Sequence, residues 1–159
     1  MKPKNFFIFL GILFTVAGIL IWNIINNYYE HQQSIIPDTQ EIVMYKNPGC
    51  ECCEKWADYM RKRGYVVHVS EAQNMPVIKT KYGVPADMQS CHTAFIGGYV
   101  IEGHVPIQDI NRLLKERPAA LGIAAPGMPA SSPGMNTALN EPYTVYLFND
   151  HGSKIYAQH

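Results

Sequence analysis

The stretch EIVMYKNPGCECCEKWADYM (Glu41–Met60) decides the fold. Glu41–Lys46 reads as a short apolar strand, stopped by Asn47-Pro48-Gly49. Beyond the turn, Cys53, Trp56, Ala57 and Met60 recur at helical spacing, and Gly64 closes the helix. Three of the chain's four cysteines, Cys50, Cys52 and Cys53, sit where strand gives way to helix. The pattern predicts Cys50 at the N-cap and Cys53 at the third helical position. Unpaired N–H groups and the positive dipole end stabilise a thiolate there. Such a thiolate serves as a nucleophile or as a soft metal ligand. A bridge from Cys50 to Cys53 closes a tiny loop and braces little, so the cluster points to chemistry more than to stapling.

Outward from that junction the pattern stays regular. Tyr65–Val69 (YVVHV) is a second strand, and Asn74 to Tyr82 is a short helix ended by Gly83 and Pro85. Thr93–Gly103 reads as a hairpin with Gly97-Gly98 as its turn. Pro106–Pro118 is an amphipathic helix with Ile107, Ile110, Leu113 and Leu114 on its apolar face. The order β-α-β-α-β-β-α, with Cys-x-x-Cys at the first strand-to-helix junction, outlines an α/β fold with a thioredoxin-like mixed sheet over residues 41–118. Residues 119–142, rich in Ala, Gly, Pro and Ser, read as a loop carrying Met128 and Met135. Residues 143–159 read as a C-terminal β-hairpin around Asn149-Asp150-His151-Gly152, which adds to the sheet or covers the site.

The N-terminus carries a different signal. Phe6 to Ile25 is uncharged, and at the helical rise its twenty residues just cross a bilayer core. Lys2 and Lys4 precede it, and no Lys or Arg follows until Lys46. The positive-inside rule leaves the N-terminus in the cytoplasm and sends the remainder across the membrane. Residues 1–28 are therefore expected to be a transmembrane helix acting as a membrane anchor, and 29–40 a polar tether. A cleaved signal peptide is the rival, but its apolar part is normally shorter and ends in a small-x-small site. The only small pair, Ala17-Gly18, lies in mid-stretch. The expected location is the periplasmic side of the inner membrane, with a soluble periplasmic protein as the outcome of cleavage.

Lys+Arg and Asp+Glu both count 13, which leaves no net charge to attract nucleic acid. The basic triplet Arg61-Lys62-Arg63 falls late in the first helix, where positive charge suits the dipole.

Two features of the cysteine cluster favour metal over disulfide exchange. A redox dithiol needs two sulfurs, and Cys52 is an adjacent third. In thioredoxin-like folds the residues opening the third core strand face the Cys-x-x-Cys, and ordinary members place a cis proline there. Here Cys91-His92-Thr93 stands at that place, and His104 follows in EGHVP. Thiolates with imidazole select Cu(I), zinc or an iron–sulfur centre. Met128 and Met135, in PGMPASSPGM, add thioethers, which prefer Cu(I). Each has a blander reading: Cys91 as a small buried hydrophobe, Cys52 turned to the core, His92 as a hydrogen-bonding residue, the methionines as loop anchors. Trp56, Met60 and Met44 read as core. His31, His68 and His151 show no useful spacing, and His159 is expected to fray at the end of the chain.

The segments MYKNPGCECCEKW, GVPADMQSCHTAFIGGYVIEGHVP, DINRLLKERP and GIAAPGMPASSPGM resemble the CopG-type copper-resistance proteins over about Glu41 to Ala157. The resemblance implies a thioredoxin-like periplasmic protein of Gram-negative bacteria, found with copper and silver efflux systems. It implies copper bound in a multinuclear thiolate cluster and cycled between Cu(I) and Cu(II). By motif, the ligand set falls on Cys50, Cys53, Cys91 and His104, with Cys52, Met128 and Met135 as further candidates. Expected partners are copper or silver ions, periplasmic copper carriers or efflux components, and the inner membrane through the N-terminal helix. One departure is Glu51, where the family usually has Gly; a position needing positive φ would resist it.

The alternative reading is a thioredoxin-like thiol-disulfide oxidoreductase acting on protein disulfides. It needs Cys50 and Cys53 but has no use for Cys91, His104, Met128 or Met135. A zinc-stapled module is a third reading, which leaves the Met loop idle.

Overall fold

The computed structural model describes residues 18–25, 27, 40–135, 137 and 139–159. At Asn47–Cys50 the chain reverses in one turn. Pro48 fixes the first corner, Gly49 takes φ +71° at the second, and Cys50 N–H reaches the Asn47 carbonyl at 3.3 Å. Strand β1 (Glu41–Lys46) feeds this turn and helix α1 (Glu51–Arg61) leaves it, with Cys50 as the N-cap. The apolar spacing seen in the sequence is the buried face of α1: Cys53, Trp56, Ala57 and Met60.

Next come β2 (Val66–Glu71), α2 (Met75–Lys81), a 3-10 turn (Ala86–Met88), β3 (His92–Ile96), β4 (Tyr99–Glu102) and α3 (Ile107–Glu116). Asn74 caps α2 by accepting from Val77 N–H. The expected element order is present. Three further strands, β5 (Gly122–Ala124), β6 (Thr144–Asn149) and β7 (Gly152–Gln158), complete a seven-stranded mixed sheet of order β2-β1-β3-β4-β5-β6-β7.

β5 lies in the stretch read from sequence as loop. Gly122-Ile123-Ala124 has poor strand propensity, yet it pairs with β4 on one side and β6 on the other, and all three residues are buried. Ladder bonds on both edges outweigh the local preference. Through β5 the C-terminal hairpin becomes part of the sheet. His159 also departs from expectation. Its backbone exchanges both hydrogen bonds with Tyr143, and its ring meets Asp109 at 2.7 Å, so the last residue is held in place.

Strand periodicity divides the core into two faces. Ile42, Met44, Ala94, Ile96 and Ile101 pack with Trp56, Ala57 and Met60 of α1 and with Ile110 and Leu113 of α3. The alternate residues Phe95, Val100, Ala124 and Phe148 join Val84 and Met88 in a second cluster. His92, two before Ala94, follows the first set; its ring lies 4.5 Å from that of Trp56.

Residues 1–36 cluster as a unit of their own. Of the expected anchor, 18–25 is helical and exposed, and most of the remainder lies outside the described residues, as does nearly all of the expected tether. Among the described residues, no helix is long and apolar enough to cross a membrane.

Candidate metal centre

Two segments distant in sequence meet because β1 and β3 are neighbours. Lys46, at the end of β1, pairs with His92 at the start of β3. The turn after β1 and the residue before β3 therefore share one end of the sheet. The sulfurs of Cys50, Cys52, Cys53 and Cys91 all lie within 4.8 Å of one another. A second set, Cys53 and Cys91 with His92 and His104, meets the same limit. Cys53 and Cys91 belong to both, so the two sets form one continuous patch of donors.

Cys50 and Cys53 are joined as a disulfide, while Cys52 and Cys91 are free thiols. Cys52 Sγ stands 3.6 Å from Cys50 Sγ, so it belongs with the other sulfurs although it is two residues along the chain. Glu51 begins α1 on the exposed side and needs no positive φ. The departure from the usual glycine is therefore sterically harmless.

Cys91 is the hub. Its Sγ lies 2.9 Å from His104 Nε2 and 3.4 Å from His92 Nδ1. Burial, with Cys52 as a second cause, pushes the Cys91 thiol up to about 12. The isolated thiol therefore stays protonated at neutral pH, and only a positive partner such as a metal ion would draw the proton off.

His104 has a defined tautomer. Its Nδ1 lies 2.7 Å from the Pro133 carbonyl, which can only accept, so Nδ1 carries the proton. Nε2 is left with its lone pair toward Cys91. A backbone carbonyl behind an imidazole is the usual way proteins orient a metal-binding histidine. Burial holds His104 below its ordinary pKa against the raising effect of that carbonyl. His92 is wholly buried and pushed well below its ordinary value, first by burial and then by His104. Its Nε2 has no hydrogen-bond partner. An unpaired buried nitrogen of this kind costs about 1–3 kcal/mol; the ring nitrogen beside the sulfurs is the other one, Nδ1, 3.4 Å from Cys91 Sγ. Sequence reasoning left His92 open between ligand and hydrogen-bonding residue; the structure puts it inside the donor set, with Nδ1 also within hydrogen-bond reach of Cys91 Sγ.

The segment after β5 closes over the patch. Gly127 N–H bonds to the Gln89 carbonyl at 3.4 Å, and Pro133 holds His104. Gly134 lies flat on α1: a Cβ there would stand 2.7 Å from Trp56 N and 3.1 Å from Cys52 O. Met128, half exposed at 47%, lines an open cavity of about 470 Å³ with Asn47, Cys50, Gln89, Ser90, Cys91 and Gly127. Met135 follows the glycine that touches α1 and is half-buried. Of the two methionines, Met128 is the one placed beside the cluster, sharing its cavity with Cys50 and Cys91.

Behind the patch, on the other face of the sheet, lies an ion pair that sequence reasoning missed. Lys79 and Glu102 are both buried and bond directly to each other. Glu102 also accepts from Ser90 N–H at 2.7 Å and from the Thr93 hydroxyl at 2.7 Å, while Lys79 donates to Thr93 Oγ1 at 3.1 Å. The carboxylate therefore holds the backbone N–H before Cys91 and the side-chain hydroxyl after His92. Burial raises Glu102, opposed by Lys79 and by these hydrogen bonds.

Residues 88–135 match the family described as a protein of unknown function, DUF411. That span contains Cys91, His92, His104, Met128 and Met135. Two solved structures, forms 1 and 2 of the copper resistance protein CopG, are each 35% identical to this chain with a TM-score of 0.72. They cover 77% of this chain, and the matches take in 98% and 99% of theirs. The chain belongs to the CopG copper-resistance family. None of the curated protein sequences matches it. Family membership and the Cys/His cluster together give the protein a copper-related function.

Proposed function

We propose that this protein binds copper for copper and silver resistance on the periplasmic side of the inner membrane, held there by its N-terminal segment. Cu(I) sits among reduced Cys50, Cys53 and Cys91 with His104, and Cys52, His92, Met128 and Met135 complete the donor supply. The ions are several per chain, because the sulfurs and imidazoles exceed what one ion uses. Soft sulfur beside imidazole suits both Cu(I) and Cu(II), which supports interconversion of the two. Ions so held pass to copper carriers or efflux components. The strand order β2-β1-β3-β4 with its flanking helices fits a thioredoxin-like core.

One observation carries the reading: Cys91 stands in both donor groups, bonded to His104 Nε2 at 2.9 Å. In a pure dithiol enzyme that thiol and imidazole would be idle. The test is anaerobic Cu(I) binding by the reduced full chain against a competing chelator. The Cys91→Ser chain should lose most of the tight binding. Binding equal to the parent would leave an ordinary dithiol and sink the proposal.

The Cys50–Cys53 disulfide favours a second reading, a thiol-disulfide oxidoreductase acting on proteins. That reading predicts catalysed reduction of a protein disulfide by the metal-free chain, undiminished by Cys91→Ser. A reporter fused after His159, active only outside the cytoplasm, tests the location, and chain length in membranes tests the anchor.

A further inference from the structure

The helices α1, α2 and α3 all run away from the donor patch, and all end in cations. α1 closes on Arg61, Lys62 and Arg63, α2 on Lys81, and α3 on Lys115 and Arg117. Strand pairing puts these termini at one end of the sheet. Val66, shortly after Arg63, pairs with Glu41. Lys81 lines a cavity with Gly97 and Gly98 of the β3–β4 turn, and Arg117 donates to the Gly97 carbonyl at 2.6 Å. Positive charge suits a helix C-terminus, so residues that favour each helix together charge one surface. Lys62, Arg63, Lys81, Lys115 and Arg117 are all exposed there. Carboxylates at that end are fewer, and each has a neighbour. Glu41 faces His68, Asp58 faces Arg61, Glu116 the Tyr156 hydroxyl, and Asp150 His151. Val66 and Leu121 expose apolar side chains among the cations.

The opposite end has the opposite sign. α1 begins with Glu51 and Glu54, β2 ends in Glu71, and α3 carries Asp109 in its first turn. The chain enters the domain at the basic end, where the Gln40 carbonyl accepts from Val66 N–H at 2.9 Å and leads into β1. Residues 26–39 separate Gln40 from the uncharged stretch Phe6–Ile25. Fully extended, that linker spans at most about 50 Å. A surface tethered so closely meets the bilayer at high effective concentration.

We infer that the basic end lies on the anionic headgroups of the membrane that holds the anchor, and that the metal centre thereby faces away from the bilayer. This rests on the anchored reading above. A negative leaflet attracts lysine and arginine within about a Debye length, and it repels the acidic end. The apolar side chains among the cations fit a seat at the lipid interface better than an acidic protein surface. The donor patch is left open to carriers arriving from the far side.

The test uses the full chain reconstituted in vesicles, either of phosphatidylcholine or of phosphatidylcholine with phosphatidylglycerol. An amine-acylating reagent that does not cross bilayers is added at low and at high salt, and modified lysines are mapped by mass spectrometry. Lys55, exposed on the first half of α1, is the internal reference. In the anionic vesicles at low salt, acylation of Lys62, Lys81 and Lys115 should fall several-fold relative to Lys55, and high salt should restore it. Lys62→Gln with Lys115→Gln, both at exposed positions, should return Lys81 to its level in neutral vesicles. Equal acylation in both lipids, or protection that salt leaves unchanged, overturns the inference. So does equal protection of Lys55, because the domain would then be shielded without regard to its orientation. Flotation with the neutral vesicles reads the anchor separately. A chain that floats but leaves Lys62, Lys81 and Lys115 open sinks the docking alone. A chain that does not float with them sinks the anchored reading, and this inference with it.

Discussion

His104 Nε2 faces Cys91 Sγ at 2.9 Å because Nδ1 is committed to the Pro133 carbonyl. The nitrogen donor is thus fixed by a residue that arrives late in the chain. His104→Ala should weaken Cu(II) binding more than Cu(I) binding, by about 10–100-fold, and shift the copper potential upward. Met128→Ala and Met135→Ala should weaken Cu(I) retention and lower the potential. A potentiometric titration read by the Cu(II) spin signal compares them. Shifts in one common direction would reduce the site to storage.

Gly134→Ala tests the strap. Its Cβ would press on the backbone of Trp56 and Cys52, and φ +88° strains any L residue. The segment should lift from α1 and take the Pro133 carbonyl away from His104. We expect a loss of about 1–3 kcal/mol in stability, with Cu(I) affinity falling alongside. Unchanged thermal unfolding and unchanged copper affinity would mean that the strap contributes nothing.

The Lys79–Glu102 pair should be costly to break from one side. Lys79→Met leaves the buried carboxylate its Ser90 and Thr93 donors but no counter-charge, and should destabilise by about 3–5 kcal/mol. Adding Glu102→Gln removes the charge and keeps an acceptor for Ser90 N–H, so much of the loss should return. A double-mutant cycle by chemical denaturation measures the coupling. Additive effects would show that the pair is not energetically linked.

Stability of the disulfide-bonded, metal-free chain should be dome-shaped in pH. His92 and His104 have lowered pKa values in the fold, so below about 6.5 the unfolded chain binds protons that the folded chain refuses, and stability falls as pH drops. Cys91 is raised from 9.0 to about 12, so its contribution is complete below 9.0 and fades above it. Glu102, also raised, has the opposite slope to the histidines from 4.5 upward. His92→Leu isolates the acid limb: denaturation midpoints between pH 5 and 7 should flatten in that variant. An equally steep fall would assign the acid limb to other groups.

Much of the site could be read before the structure because its chemistry sits in side chains at telling spacings. The Cys50–Cys53 junction, the hairpin turn at Gly97-Gly98 and the punctuation of α3 by Pro106 and Pro118 are local signals, and local signals survive folding. What stayed hidden is long-range. β5 is held by its neighbours and not by its own propensity. Lys79 finds Glu102 across the sheet packing, and no periodicity marks such a partner. Pro133 acts through its carbonyl, which every residue has. His92 stayed open between ligand and hydrogen-bonding residue because nothing in a sequence reports a nitrogen without a partner.

The pairing of Lys46 with His92 also sets the order in which the site can come into being. Cys50 and Cys53 are near each other in any chain that makes one helical turn. Cys91 joins them only after β3 docks on β1, and Pro133 settles His104 only after β5 has entered the sheet. An emerging chain therefore owns three neighbouring thiols first, its fourth sulfur next and its oriented imidazole last. Tight copper capture becomes a sign that folding has finished, and a half-made chain has little with which to hold the ion.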